Sequence, residues 1–185
     1  MVYLNDDIAH FDWEAALPLL SEQRREQTLK FKHLLGRKTC AAAYLLLCEA
    51  LRKEYGITEK PIFEYGIHGK PFIIGYPDIH FNISHCREAV LCVVSSRPVG
   101  VDVESIRSYK DSLVEYTMNP QEIAKINQAP RPEAEFIRLW TMKEAVLKLS
   151  GEGISKDLKT VLTGQEQIET QVNMEKNYIY SIIYG

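Results

Sequence analysis

Two acidic patterns, well separated along the chain, contain the side chains best suited to bind a metal ion and phosphate. In the first, Gly100-Val101-Asp102-Val103-Glu104, apolar and acidic residues alternate. This alternation predicts a strand whose two carboxylates lie on one face, about 7 Å apart. Carboxylate oxygens suit magnesium, which takes one or two of them together with substrate phosphates and water. A lone acid pair of this kind is also common on an exposed strand face, so the pattern predicts a metal site only together with the second one.

The second pattern runs from Trp140 to Lys148 and predicts a helix. Trp140, Glu144 and Lys148 lie one turn apart on one side, with Lys143 beside them. A solvent-exposed ion pair between Glu144 and Lys148, worth about 0.3–0.5 kcal/mol, is the alternative interpretation. The tryptophan, however, indicates that this side of the helix is partly buried. Charged pairs are uncommon at buried positions unless they have a structural or functional role. If this stripe faces the strand, Glu144 becomes a third metal ligand or a general base, and both lysines become phosphate ligands.

Composition is that of a globular protein: 185 residues, 45% hydrophobic and 25% charged, with a net charge of −3. Acidic residues interrupt the first ten positions, so no signal peptide is predicted. The longest apolar run, residues 40–48, is too short to span a bilayer, which takes about 20 residues. The four cysteines lack zinc-site spacing and are predicted to be free thiols. A cytoplasmic location and no membrane partner are therefore expected.

Positive charge is concentrated in residues 21–38. This stretch contains six basic and two acidic residues, a net charge of +4. Such a run is usually a solvated helix face, but it also suits a phosphate group or an acidic partner. Basic and aromatic residues do not alternate there as they would on a nucleic-acid platform, so no nucleic-acid partner is predicted.

The order of predicted elements indicates an α+β protein with two halves of similar size, residues 1–98 and 99–185. Helices are predicted from Ser21, over 37–55, from Asn119 and over 132–149, ending at the cap residues Gly56 and Gly151. Strands are predicted over 62–65, 72–74, 79–84, 89–95, 99–104, 159–163, 168–174 and 178–184. The strand over 89–95 is apolar throughout and is expected to be central. A protein of two halves usually places its site in the seam between them.

Other candidate residues come from turns and strand ends. His85 follows Ser84 at the end of a predicted strand, and Lys70 lies in the Gly69-Lys70-Pro71 turn, where each could reach a phosphate. The other four histidines are interpreted as structural: His10, His33, His68 and His80. On the last helix the predicted buried stripe is Phe136, Leu139, Met142, Val146 and Leu149.

Taken together, four motifs resemble the Sfp-type 4'-phosphopantetheinyl transferases. They are Gly69-Lys70-Pro71, Asn82-Ile83-Ser84-His85, Gly100-Val101-Asp102-Val103-Glu104 and Trp140-x-x-Lys143-Glu144-x-x-x-Lys148, followed by Gly151-x-Gly153-Ile154. Their order and spacing match that family from Gly69 to Lys148, whereas the first 37 residues match loosely and the last thirty hardly at all.

The resemblance implies two similar α+β halves related by a pseudo-twofold axis, with coenzyme A and Mg²⁺ (Mn²⁺ being possible) held between them. It implies transfer of the 4'-phosphopantetheine arm to a serine of an apo acyl or peptidyl carrier protein, with release of 3',5'-ADP. The fusion of two halves in one chain favours a monomer. By motif position, the metal ligands are Asp102, Glu104 and Glu144. The coenzyme-binding residues are Arg25, Thr39, Lys70, Pro71, Ser84, His85, Lys143 and Lys148.

Glu144 and Lys148 are the expected catalytic residues. Phosphoryl transfer depends mainly on positioning and on neutralising charge at the phosphates. Glu144 would act as the base for the incoming serine, and Lys148 would protonate or neutralise the departing phosphate oxygen.

Two alternatives remain open on the residues alone. A magnesium-dependent phosphodiesterase or pyrophosphatase would use the same acids and lysines, with water in place of the carrier serine. A catalytically silent coenzyme-binding module could also keep the fold. Incubation with coenzyme A, with and without an apo carrier, separates a hydrolase from a transferase.

Overall fold

The computed structural model describes residues 1–67, 69–151 and 157–185. Its α-helices and strands, in chain order, are β1 (Val2–Asn5), α1 (Trp13–Ala16), α2 (Glu22–Lys30), α3 (Leu34–Tyr55), β2 (Phe63–Tyr65), β3 (Pro71–Ile73), β4 (His80–His85), β5 (Val90–Ser95), β6 (Val99–Ser105), α4 (Asp111–Thr117), α5 (Pro120–Gln128), α6 (Pro132–Ser150), β7 (Ile168–Asn173) and β8 (Tyr178–Tyr184). The predicted mixed α+β class is confirmed.

The first three-stranded sheet belongs to residues 1–98, which we call the N-terminal half. Its strand order is β1-β5-β4, and both pairs are antiparallel. Residues 90–94 of β5 are all buried, which confirms the predicted central strand. Helix α3 packs on this sheet, and its fully buried Tyr44 and Leu47 share a core cluster with Phe81 and Cys92.

The second three-stranded sheet belongs to residues 99–185, the C-terminal half. Its order is β6-β8-β7, also antiparallel throughout. In each half, therefore, the first strand pairs with the last one, and the penultimate strand lies on the other side of the last. Helix α6 packs against β6 and β8, as α3 packs against β5 and β1.

Strands β4 and β6 meet at the seam between the halves without a backbone ladder. Instead, side chains of β4 accept hydrogen bonds from buried backbone amides of β6: Asn82 Oδ1 from Val101 N at 3.0 Å, and Ser84 Oγ from Val103 N at 3.2 Å. Val101 and Val103 themselves pack in a buried cluster with residues of β5. As predicted, the apolar residues of β6 enter the core. The seam between the halves is held by the side chains of Asn82 and Ser84, and loss of either would leave a buried amide of β6 unpaired.

Helix ends were predicted well because their signals are local. Ser21 caps α2, Gly56 ends α3 in a left-handed conformation (φ 69°), and Gly151 does the same for α6 (φ 72°). Asn119 and Glu122 form a reciprocal capping box on α5. Helix α3 begins three residues before the predicted position.

Two predictions about the elements were wrong. Residues 159–163 do not form a strand; a 3₁₀ turn covers Leu158–Thr160 because Asp157 caps it and accepts from Lys159 N at 3.0 Å. On α6, Phe136 and Leu139 are buried as predicted, but Met142, Val146 and Leu149 are only half-buried. The helix lies between β6 and β8 on one side and α5 on another, so its buried surface is wider than one stripe.

Three further observations bear on the composition. Cys40, Cys48, Cys86 and Cys92 are free thiols, as predicted. Within the described residues, none of the helices is long and apolar enough to cross a membrane. His68, Gly153 and Ile154, which were singled out from the sequence, lie outside the described residues.

Candidate active site

Gly100 lets α6 approach β6 unusually closely. A Cβ at this position would lie 2.0 Å from Ala145 O and 2.5 Å from Leu149 N, both backbone atoms of α6. Only glycine is compatible with this approach. The contact brings the face of α6 that bears Glu144 and Lys148 against the strand that bears Asp102.

Lys148, Asp102 and Ser84 contact one another at this junction. Lys148 Nζ lies 2.6 Å from Asp102 Oδ1 and donates to Ser84 Oγ at 3.0 Å, while Ser84 Oγ donates to Asp102 Oδ1 at 2.8 Å. Asp102 is 3% exposed, so its carboxylate needs these partners. Residues from three separate motifs thus meet in one hydrogen-bonded group.

Two buried carboxylate oxygens at this junction of α6 and β6 have no hydrogen-bond partner. Asp102 Oδ2 and Glu144 Oε1 are enclosed and accept no hydrogen bond. The pKa of Glu144 is raised, first by burial and then by the negative charge of Asp102, with Lys148 opposing. The pKa of Glu104 is raised for the same two reasons, and Arg107 and Lys148 oppose it. The three acids therefore repel one another, and the nearby cations Lys148 and Arg107 offset this repulsion only in part.

This donor set fits a divalent cation better than it fits its present surroundings. Within the part of the chain that the structure describes, no group of three or more His, Cys, Asp or Glu side chains is arranged to hold a metal by itself. Magnesium, however, is commonly held by only one or two carboxylates, with phosphates and water completing the shell. The unpaired oxygens of Asp102 and Glu144 meet that requirement.

An open cleft of about 330 Å³ lies beside the group, between the two halves. Its lining includes Thr39, His85 and Arg87 from the N-terminal half and Glu104 and Arg107 from the C-terminal half. His85 is exposed, yet its pKa is lowered, first because the surrounding protein displaces water and then because Lys148 is near. The cleft is therefore bordered by basic groups as well as by one of the acids.

A second cleft of about 280 Å³ adjoins the first and shares Glu104 and Arg107 with it. Its lining is largely apolar and includes Leu113, Phe136 and Trp140. Trp140 is half-buried, as predicted. Glu104 thus lines both clefts.

Comparisons with known proteins place this chain in a family. Residues 98–180, which include the β6 and α6 motifs, match the model of the 4'-phosphopantetheinyl transferase superfamily. A 4'-phosphopantetheinyl transferase of Bacillus subtilis is 30% identical over 162 residues, covering 85% of this chain and 71% of the relative. The chain belongs to the 4'-phosphopantetheinyl transferase superfamily.

Two further relatives extend the match over most of the chain. A 4'-phosphopantetheinyl transferase of Bacillus pumilus is 32% identical over 160 residues, covering 85% of this chain and 69% of the relative. The transferase Sfp of Bacillus subtilis strain 168 is 27% identical over 177 residues, covering 94% and 79%. The chain is accordingly an enzyme, a phosphopantetheinyl transferase, and the resemblance inferred from its four motifs is confirmed.

In this phosphopantetheinyl transferase, the Gly69-Lys70-Pro71 turn contacts the end of α6. Lys70 Nζ donates to Lys148 O at 2.8 Å and to Leu149 O at 3.0 Å, carbonyls that a helix end leaves unpaired. The pKa of Lys70 is lowered by burial. Pro71 begins β3 and lines, with Lys70, a separate pocket of about 280 Å³. A lysine predicted to bind coenzyme thus holds, from the other half, the helix that bears Glu144.

Two other predicted coenzyme ligands are not brought into the group. Lys143 is completely buried and points toward α4 and α5, where carbonyls and a carboxylate surround it. Arg25 is exposed on α2 and does not line the cleft of Thr39 and His85. Its neighbour Arg24 turns inward, with its guanidinium 5.0 Å from the centre of the Phe63 ring.

The motif analysis assigned no role to three residues that shape the site. Asn82 and Gly100 lie inside quoted motifs, but their functions depend on contacts with other elements, β6 for Asn82 and α6 for Gly100. Arg107 lines both clefts and opposes the raised pKa of Glu104. A basic residue just after the acidic strand was the signal that could have identified it.

Proposed function

We propose that this enzyme transfers the 4'-phosphopantetheine group from coenzyme A to a serine of an apo acyl or peptidyl carrier protein, releasing 3',5'-ADP with the help of Mg²⁺ or Mn²⁺. The observation that carries the proposal is the pair of buried, unpartnered oxygens on Asp102 and Glu144, next to the Lys148 ammonium. Acceptors without donors, beside a cation and an open cleft, suit a metal-bound diphosphate.

Each residue of the site has a role in this proposal. Asp102, Glu104 and Glu144 would hold the metal ion, which supplies charge neutralisation at the diphosphate when it is bound. The carrier serine Oγ forms the new bond to phosphorus while the bond between phosphorus and the departing 3',5'-ADP oxygen breaks. Glu144 takes the serine proton. Lys148 donates a proton to, or neutralises, the departing oxygen.

The remaining residues would hold the coenzyme. Thr39 and His85 line the cleft, and Ser84 contacts Lys148 beneath it. Lys70 and Pro71 lie at the C-terminal end of α6, together in one pocket. Arg25 stays in the proposal as a more distant, exposed cation.

Carrier docking is proposed for the basic surface of residues 21–38, because carriers of this family's reactions are typically acidic. Lys30 and Lys32 are exposed there, and Leu35 of the adjoining helix lines the cleft. Charge reversal at both lysines should raise the apparent KM for carrier more than that for coenzyme A. Equal effects on the two constants would argue against docking at this surface.

The architecture forms part of the proposal as well. The order first strand, last strand, penultimate strand occurs in both sheets, and a long helix packs on each. This agreement supports two halves, 1–98 and 99–185, related by a pseudo-twofold axis. A cytoplasmic monomer that acts on coenzyme A and carrier, without nucleic acid or membrane, completes the proposal.

Intact-mass measurement tests the function directly. Candidate apo carriers are mixed with coenzyme A, Mg²⁺ and the enzyme, and the gain of one pantetheine arm is expected. Turnover of coenzyme A without carrier would instead indicate a hydrolase.

Two variants test the assigned roles. Glu144→Gln should abolish transfer while coenzyme binding is largely retained; full activity would refute the base assignment. Asp102→Ala should remove both the activity and its metal dependence, and an active, metal-independent variant would remove this carboxylate from the scheme.

A further inference from the structure

Lys143 lies next to Glu144 in sequence, yet its ammonium contacts a different part of the protein. Nζ donates to Glu122 Oε2 at 2.7 Å, to Leu158 O at 2.7 Å and to Thr117 O at 2.9 Å. The residue is 0% exposed. An ammonium group has three N–H donors, and all three are used here. No donor of Lys143 is left for a phosphate.

The three acceptors belong to three separate elements. Thr117 O lies at the end of α4, Glu122 in the first turn of α5, and Leu158 in the 3₁₀ turn of Leu158–Thr160. Glu122 Oε2 also accepts from Asn119 N at 2.8 Å, so one carboxylate oxygen serves both the capping box of α5 and the ion pair. Lys143 therefore connects α6 with α4, α5 and the 3₁₀ turn.

Contacts on another side of α6 complete the attachment, because Thr141 and Lys148, seven residues apart, lie only about 20° apart around the helix. Thr141 Oγ1 lies 2.9 Å from Ser181 Oγ on β8. Lys148 contacts Asp102 on β6, and its position is about 140° around the helix from Lys143. A helix held on two sides resists rotation about its axis, and that rotation determines where Glu144 points.

We propose that Lys143 is a positioning residue for Glu144 and not a ligand of the coenzyme. Its buried pair with Glu122 fixes the rotation of α6, so the Glu144 carboxylate stays against Asp102. This inference rests on the proposed role of Glu144 in transfer. It reassigns the lysine that motif position alone had placed on a phosphate.

The experiment separates coenzyme binding from the chemical step. The double variant E122M/K143M replaces both charges by apolar side chains, so neither is left buried alone. Affinity for coenzyme A is measured by calorimetry, and kcat is measured per binding-competent molecule, well below the unfolding temperature. Lys125→Met, an exposed lysine on α5, is the matched control, and Lys148→Met is the control for a lost phosphate contact.

The double variant should keep its Kd for coenzyme A within about twofold of the wild type, while kcat falls by about 10- to 100-fold, as expected for a slightly misplaced catalytic group. Lys125→Met should change neither value, and Lys148→Met should weaken coenzyme binding. Should the double variant not fold, Glu122→Gln takes its place, because it removes the charge and keeps an acceptor; kcat should then fall by about tenfold at unchanged Kd.

Several outcomes would overturn the proposal. A tenfold weaker Kd in the double variant or in Glu122→Gln would make the pair part of the coenzyme site. An unchanged kcat with an unchanged Kd would leave Lys143 with no influence on Glu144. A wild type that binds coenzyme A but loads no carrier refutes the proposed function first, and this role with it.

Discussion

Lys148 Nζ lies 2.6 Å from Asp102 Oδ1, so the cation of α6 neutralises one oxygen of the most buried acid of β6. The other oxygen, Oδ2, has no partner. Lys148 thus pairs with one oxygen of the Asp102 carboxylate, and the second oxygen remains available to another cation. Because Ser84 of β4 joins the same group, one hydrogen-bonded cluster spans both halves of the enzyme.

Lys148→Met should destabilise the fold by about 2–3 kcal/mol, less than the cost of breaking a fully buried pair, because Lys148 is 31% exposed. A divalent cation at the acids would restore part of this loss. Thermal unfolding with and without Mg²⁺ is the measurement, and the metal should raise the Tm of the variant more than that of the wild type. Lys53→Met, which breaks the exposed pair with Glu49, is the control and should show no such gain. An equal metal effect on all three proteins would contradict the proposed cation site.

Gly100→Ala should push α6 away from β6, because its Cβ would overlap backbone atoms at Ala145 and Leu149. A loss of about 3 kcal/mol is expected, at the upper end of overpacking penalties, together with a marked loss of transfer activity. Gly66→Ala is the matched control, since its Cβ would meet only Lys70 O at an ordinary 3.6 Å. Denaturant unfolding measures both variants, and an equally mild effect would mean that the close approach is not required.

Asn82→Ala and Ser84→Ala each remove the acceptor of one buried amide of β6. Leaving such an amide unpaired costs about 1–3 kcal/mol, so both variants should lose similar stability. Only Ser84 also contacts Asp102 and Lys148, and only Ser84→Ala should therefore weaken coenzyme binding and turnover substantially. Equal activity in the two variants would separate Ser84 from the active-site chemistry.

Asp6 links the two halves at a distance from the active site, and its contribution should depend on pH. It accepts from Tyr178 Oη at 3.0 Å and pairs with Lys176, and its pKa is lowered chiefly by the hydrogen bond from Lys176. A carboxylate with a lowered folded-state pKa stabilises the fold above its unfolded pKa, near 3.8, and that contribution disappears as pH falls through the folded value. Tyr178→Phe should cost about 1 kcal/mol at pH 7 for the lost hydrogen bond.

The comparison of Asp6→Asn with the wild type checks the sign of this effect. Unfolding free energies measured from pH 7 to pH 2 should differ at neutral pH and converge as the pH falls below 3.8 and through the lowered folded-state pKa of Asp6. A difference that grows as the pH falls would show that Asp6 is not stabilised as an anion.

Local signals explain which elements the sequence predicted. The caps at Ser21, Gly56, Asn119 and Gly151 act within one helical turn, so their residue types were sufficient. The acidic strand was predicted for the same reason, because alternation of apolar and acidic residues depends only on neighbours. Strand β1, by contrast, was not predicted, since its partner β5 lies about ninety residues away, with Tyr3 opposite Cys92.

The directions of two of the three predicted phosphate lysines, Lys143 and Lys70, could not be read from the sequence. Lys143 lies on the flank of the Trp140–Glu144–Lys148 stripe, and whether it faces a cleft or a neighbouring helix depends on where α4 and α5 pack. Lys70 sits in a tight turn that could aim its side chain in several directions; the carbonyls at the end of α6 decide the matter. In each case a charged group is attracted by acceptors that only the tertiary fold supplies.

The seam of Asn82 with Val101 and of Ser84 with Val103 makes the halves interdependent. A fragment containing only residues 99–185 would present an open strand edge with two amides stripped of their acceptors, a surface that invites aggregation. We therefore expect neither half to fold when it is expressed alone, although the superfamily match over residues 98–180 covers most of the C-terminal half. Any rearrangement of this enzyme, by truncation, splitting or fusion, has to preserve β4 and β6 as neighbours.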